Sequence, residues 1–236
     1  MKITTTGRVM VIAAHPDDEV LGCGATVHKL VSRGWVAHLV IMSAGVGGRY
    51  LLNETSSDNV QRDQAVLSAQ TQRAASIIGY QGVDTFDFPD NRMDTVGRMD
   101  LVHAIRPIIE REKPDLILTH HPGDYNWDHT VTFDAVMMAA RTNPPDHSPQ
   151  EIWLFEVRSS TERGWQSRQP FAPSIYVEVK ADLAFMESAL EEYASELRNH
   201  PHPRSIEGIR SLAASRGHEV SMDAAEAFEE VRRLIR

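Results

Sequence analysis

The stretch "RVMVIAAHPDDEVLGCGATVHKLVSRGWVAHLVIMSA", residues 8–44, decides the fold. Its first segment, 8–14, is a short unbroken apolar run with β-branched residues, the pattern of a strand buried on both faces. From Glu19 to Ser32 apolar residues recur at helical spacing, with Val20, Cys23, Val27, Leu30 and Val31 on one side and Gly34 placed to end the helix. Residues 36–44 form a second buried run. Strand, helix and strand in this order make a βαβ unit, hence a parallel pair with a right-handed crossover.

The pattern continues outward. Residues 45–59, rich in Gly, Ser and Asn, read as a loop, and a helix capped by Asp58 or Asn59 runs to about Ile78, closed by Gly79. A short strand and turn occupy 85–91. A helix follows from about Val96 to Glu112, in which Pro107 is expected to introduce a kink. Residues 115–121 read as a buried strand and 131–140 as a helix. The expected class is therefore α/β, a Rossmann-like, mostly parallel sheet flanked by helices. Beyond the Pro-rich break at 143–150, strands are expected at 152–157 and 175–179. An amphipathic helix over 181–199 and two short helices complete the chain. Met138 and Met186 are expected in the core. The break is too short to separate independent domains, so residues 1–236 read as one domain with an α/β core to about 145 and a C-terminal α+β cap over about 150–236.

The bulk composition narrows the function. The chain has 236 residues, 42% hydrophobic and 24% charged, as in an ordinary globular protein. A net charge of −9 argues against a nucleic-acid or anionic-membrane partner. Cys23, the single cysteine, excludes an intrachain disulfide and fits a reducing compartment, where it reads as a small buried filler. No apolar run reaches the length of a membrane span, and the N-terminus has no signal-peptide pattern, so a cytoplasmic protein without membrane insertion is expected.

In open parallel sheets, ligands bind beyond the carboxyl ends of the strands. Two strands here end in clusters of metal-type ligands, "AAHPDDE" (13–19) and "THHPGDYNWDH" (119–129). Imidazole and carboxylate without thiolate suit zinc, one ion per chain, with Fe2+ or another divalent metal as alternatives. A turn opening a helix can aim His15 and Asp18 at one point and leave Asp17 free beside the metal as a general base. His129 can close the set from the second cluster, with Asp128 as its neighbouring support.

With those residues in place, the chain resembles the zinc-dependent deacetylases of the PIG-L/LmbE family, which remove acetyl groups from N-acetylglucosamine units. The resemblance rests on "AHPDDE" after a strand and the Asp-His of "GDYNWDH", with "FPDN" (88–91), "KPDLILTHH" and "AEAF" (225–228) in support. It implies His15, Asp18 and His129 as zinc ligands, Asp17 as base and a contact of Asp90 with sugar hydroxyls, for which turn formation is the alternative. Two departures stand out. Asn126 occupies the position of a family histidine that helps stabilise the oxyanion, and can still donate a hydrogen bond there. Residues 67–70 are "LSAQ" instead of an Arg-x-x-Glu pattern, which leaves Arg62, Arg49 or Arg73 to bind substrate, Arg62 first.

Other polar residues have local readings. Glu19 reads as a first-turn acid favoured by the helix dipole. His120 and His121 read as packed or locally bonded rather than ligating. Asp124 either orients Asn126, contacts substrate or forms a simple turn. His200, His202 and Arg204 read as a solvated connection between helices, with a lid or a contact to an anionic group as the alternative. The expected activity is hydrolysis of an N-acetylated amino sugar or its conjugate, a small-molecule partner, in a chain that could form a homo-oligomer. A metal-dependent hydratase or lyase, or a non-catalytic sugar- or nucleotide-binding module, are the alternatives.

Overall fold

The computed structural model describes residues 6–47, 58–143, 147–164 and 169–235. Along the chain run β1 (Arg8–Ala13), α1 (Asp18–Ser32), β2 (Val36–Ile41), α2 (Asp58–Ile78), β3 (Gly82–Thr85), α3 (Arg98–Glu112) and β4 (Leu116–His120). They are followed by α4 (Trp127–Ala139), β5 (Glu151–Phe155), β6 (Ile175–Glu178), α5 (Leu183–Glu192), α6 (Ile206–His218) and β7 (Ala225–Arg233). The described strands form one sheet in the order β3-β2-β1-β4-β5-β7-β6. From β3 to β5 all neighbours are parallel, while β7 runs antiparallel to both β5 and β6. The strand order reverses between β1 and β4, so a crevice opens beyond their carboxyl ends.

Alternation along β1 explains why residues 9–14 are apolar without interruption. Val9, Val11 and Ala13 pack on one face with residues of α1, α2 and α5, among them Val20, Val27, Ile78 and Leu190. Met10 and Ile12 pack on the other face with Ile105 and Ile109 of α3 and Val136 of α4. Helices thus cover both faces of the sheet. No described helix is long and apolar enough to cross a membrane.

α3 carries Pro107 in its interior as one helix. Several local expectations need correction. α4 begins at Trp127 rather than 131, because Asn126 caps it: its Oδ1 accepts the Asp128 N–H at 2.9 Å. Met138 is 47% exposed on α4, whereas Met186 is buried. α5 ends at Glu192, where Tyr193 turns into the core and the chain leaves the helix. After α6 the chain closes with strand β7, not a second helix. Residues 151–155, 175–178 and 225–233 are therefore part of the same sheet as β1 and β4.

α1 is two helical pieces joined at Cys23, whose φ of −156° is not helical. The second piece receives its cap from a distant strand. Glu226 of β7 accepts the backbone N–H groups of Ala25, at 3.0 Å, and Thr26, at 2.6 Å. Before the break, Gly22 lies directly against the Phe155 ring at the end of β5, where a side chain would collide. This contact seats the first turn of α1, and with it Asp17 and Asp18, against the centre of the sheet.

Candidate metal centre

His15 lies two residues past the end of β1, and Asp18 opens α1 three residues later. His129 lies in the first turn of α4, which follows β4. Because β1 and β4 are neighbours, the two motifs meet: one ligand atom each from His15, Asp18 and His129 lie within 4.8 Å of one another. Asp18 Oδ2 stands at the centre, 3.3 Å from His15 Nδ1 and 3.2 Å from His129 Nε2. A tetrahedral ion with bonds of about 2.0–2.1 Å has ligand–ligand edges of about 3.3 Å. The other carboxylate oxygen, Asp18 Oδ1, is buried without a hydrogen-bond partner. The donor set, the spacing and the orphaned oxygen all fit a small divalent cation.

Each imidazole is held from behind by a carboxylate. Asp128 Oδ2 lies 3.1 Å from His15 Nε2, and its Oδ1 accepts the Met93 N–H at 3.0 Å. Asp124 Oδ1 lies 3.2 Å from His129 Nδ1. Such partners orient metal-ligating rings and raise their basicity. Asp128 thus lies against His15, the candidate ligand of the other motif, rather than against its chain neighbour His129.

The electrostatics describe a site short of positive charge. Burial opposes charging of both imidazoles. Even so, Asp128, Asp18 and Asp90 hold His15 well above its ordinary pKa, and Asp18 and Asp124 raise His129 to about 9. Burial alone would raise Asp18, yet His129, His15 and His120 hold it well below the usual carboxylate range. Without metal, protons compensate the buried carboxylates; a bound cation would displace them.

Asp17 sits beside this group, 3% exposed, with φ of +97°, a conformation that L-residues rarely adopt. Glu19 holds that turn. Its Oε2 accepts the Asp17 N–H at 3.0 Å and its Oε1 accepts the Tyr193 hydroxyl at 2.6 Å. Glu19 is thus buried and structural, pinned by Tyr193 just after α5 rather than acting through the helix dipole alone. Burial pushes the Asp17 carboxyl up to about 7, against the opposing charge of Arg204.

The remaining candidates separate clearly. Asp90 Oδ1 lies 3.1 Å from His15 Nε2, a nitrogen it shares with Asp128, and accepts the Asn91 side-chain amide at 3.1 Å. Asn126 is committed at both ends, since its Oδ1 caps α4 and its Nδ2 donates to Asn91 Oδ1 at 3.3 Å. Asp124 is fully buried. It accepts the Asn126 N–H and the hydroxyls of Ser160 and Thr161, so it braces His129 and has no surface to offer a substrate. Arg62 is exposed on α2, 3.5 Å from Asn59, and is not brought to the cluster by any described contact. Arg73 pairs with Glu192 on the surface. Arg49 lies outside the described residues. His120 Nε2 accepts the Ala14 N–H at 2.8 Å and its ring stacks on His129. His121 accepts the Gly123 N–H, and its Nε2 lies 3.3 Å from Glu229 Oε1, so only His121 has a local bond and both histidines are also held by distant segments.

The largest correction concerns Arg204. Far from being a solvated connection, its Nη1 donates to Asp17 Oδ2 at 2.8 Å. A cation in the rigid, Pro-rich "HPHPRS" turn of an acidic chain was the signal for it. The structure also places two exposed aromatic residues, Tyr125 and Trp127, at the start of α4, and the Trp127 indole donates to Asn91 O at 2.8 Å.

The family model described as "PIG-L: GlcNAc-PI de-N-acetylase" matches residues 10–140, a span that contains every residue of the cluster. The chain belongs to the PIG-L family. Among PIG-L relatives, the Escherichia coli protein named "Uncharacterized deacetylase YaiS" is 27% identical over 193 residues, 79% of this chain and 90% of that protein. The N,N'-diacetylchitobiose deacetylase of Pyrococcus horikoshii, solved with an inhibitor, has a TM-score of 0.76 at 18% identity. It covers 95% of this chain and 84% of its own. GalB, the 4-carboxy-2-hydroxymuconate hydratase of Pseudomonas putida KT2440, reaches 0.78 at 17% identity over 98% of both chains. At these identities the two solved structures establish a shared fold.

Proposed function

We propose that this PIG-L chain is a zinc-dependent hydrolase that removes the acetyl group from an N-acetylated amino sugar or its conjugate, releasing acetate and a free amine. The observation that carries the reading is the convergence of His15, Asp18 and His129 from two distant motifs, with the Asp17 carboxylate beside them. The family assignment and the deacetylase relatives support it.

His15, Asp18 and His129 would hold the ion, braced by Asp128 and Asp124. Zinc supplies Lewis acidity and eases the ionisation of water. Asp17 accepts a proton from the water that attacks the acetyl carbonyl carbon. The same carboxyl then returns the proton to the amine nitrogen as the C–N bond breaks, so the base ends as it began. Asn126 is held as a helix cap, and the second N–H of its amide, beside the one given to Asn91, is the donor it has for an oxyanion.

The test is direct. Zinc-loaded protein incubated with N-acetylglucosamine and N,N'-diacetylchitobiose should release primary amine and acetate in equal amounts, and a chelator should abolish both. The GalB likeness favours a second reading, metal-dependent hydration of an unsaturated acid. Loss of absorbance from a conjugated enoic acid, without acetate from either sugar, would select it.

A further inference from the structure

Asp17 is fixed from two sides by parts of the chain that lie after residue 190. Tyr193 secures Glu19, which ties down the Asp17 backbone N–H. Arg204 takes the side chain. The guanidinium is itself anchored: its Nε donates to Ser159 Oγ at 2.8 Å, and the Arg204 N–H donates to His202 Nδ1 at 3.1 Å. Ser205 next to it caps α6 by accepting the Gly208 N–H at 3.0 Å. The Arg204 side chain is 22% exposed, so it cannot swing freely into solvent.

We infer that Arg204 is a positioning residue for Asp17: by engaging Oδ2 it leaves Oδ1 as the oxygen that exchanges the proton with water and with the leaving amine. This rests on the proposed role of Asp17 as base. Stability does not account for the pair, because a buried ion pair recovers little more than its desolvation cost. It also sits on a residue whose φ of +97° is already unfavourable. Orientation does account for it. A short carboxylate has two near-equivalent oxygens, and a misplacement of about 1 Å at a reacting group lowers turnover by about 100-fold. Arg204 further supplies a cation beside the base, which Asn126, a neutral amide, does not.

The experiment compares zinc-loaded wild type with Arg204→Ala, Arg204→Lys and Asp17→Asn, using amine release from N-acetylglucosamine. Arg204→Ala should lower kcat by about 100-fold with KM and zinc content nearly unchanged, and Arg204→Lys should retain an intermediate rate. Added guanidinium chloride should restore about ten-fold or more of the lost rate to Arg204→Ala and none to Asp17→Asn. A loss confined to KM would make Arg204 a substrate contact, and an unchanged kcat would remove its role; either overturns the inference. Wild-type turnover by Asp17→Asn would instead remove the base assignment. A second readout needs neither substrate nor metal. In chelated protein the Arg204 guanidinium protons, followed by 15N NMR, should exchange slowly in wild type and rapidly in Asp17→Ala. Rapid exchange in wild type would overturn the pairing even if the sugar is not turned over.

Discussion

Asp128 Oδ2 and His15 Nε2 stand 3.1 Å apart although 113 positions separate them in the chain. Through this contact the first turn of α4 sets the ring orientation of a residue that follows β1. Asp128→Ala should therefore weaken zinc binding by about 10- to 100-fold, as loss of such supporting carboxylates does elsewhere. Competition against a chromophoric chelator measures it, and an unchanged affinity would show that His15 needs no brace.

Removal of a ligand should act more severely than removal of a brace. His129→Ala and Asp18→Ala should purify without stoichiometric zinc, read by atomic absorption, and should lose turnover that added zinc does not restore. In wild type, chelation should abolish turnover and zinc should return it. Full zinc occupancy in both variants would place the metal elsewhere.

Asp17→Asn separates chemistry from binding. The amide keeps the shape and can still accept from Arg204, but it cannot take up a proton. A fall in kcat on the order of 10²- to 10⁴-fold, with zinc retained, is the expected result. Stopped turnover with lost zinc would instead make Asp17 a ligand.

Glu226 predicts a pH dependence of stability. Burial raises its carboxyl from 4.5 to about 7, against the opposing N–H donors of Thr26 and Ala25. The folded state thus holds this proton more tightly than the unfolded chain. Its contribution is full below pH 4.5 and is lost as pH rises through about 7. In chelated protein, the melting temperature of Glu226→Gln relative to wild type should rise as pH increases across that window. A difference independent of pH would show that Glu226 does not titrate there.

Gly22→Ala sets two effects against each other. Alanine gains about 1 kcal/mol in helix propensity. Its Cβ would overlap the Phe155 ring, and overpacking in a buried contact typically costs about 1–3 kcal/mol. Net destabilisation is expected in chemical denaturation, with partial recovery on adding Phe155→Leu. A stabilised Gly22→Ala would mean that α1 can move off the sheet.

The βαβ unit, the parallel core and the metal-type clusters were legible because they are written in local patterns. Unbroken apolar runs identify strands covered on both faces, and charge placed at a strand end identifies a crevice. Helix ends were less legible. The start of α4 depended on Asn126 acting as a cap, which its motif role had obscured. The sequence points to a helix where β7 lies, because "AEAFEEVRR" carries acidic and basic residues typical of an exposed helix. Its strand state follows from pairing with β5 and β6, a non-local choice.

By itself, the amino-acid order singled out His15, Asp18 and His129 as the candidate metal ligands, since they lie in short motifs of metal-type residues at strand ends. Tertiary structure alone decided what holds them: Asp128 on His15, Asp124 on His129, Glu226 on the broken α1 and Arg204 on Asp17. The reason is physical. A carboxylate or guanidinium looks the same in sequence whether solvated or buried, and only the packing of distant segments removes the water that would otherwise satisfy it.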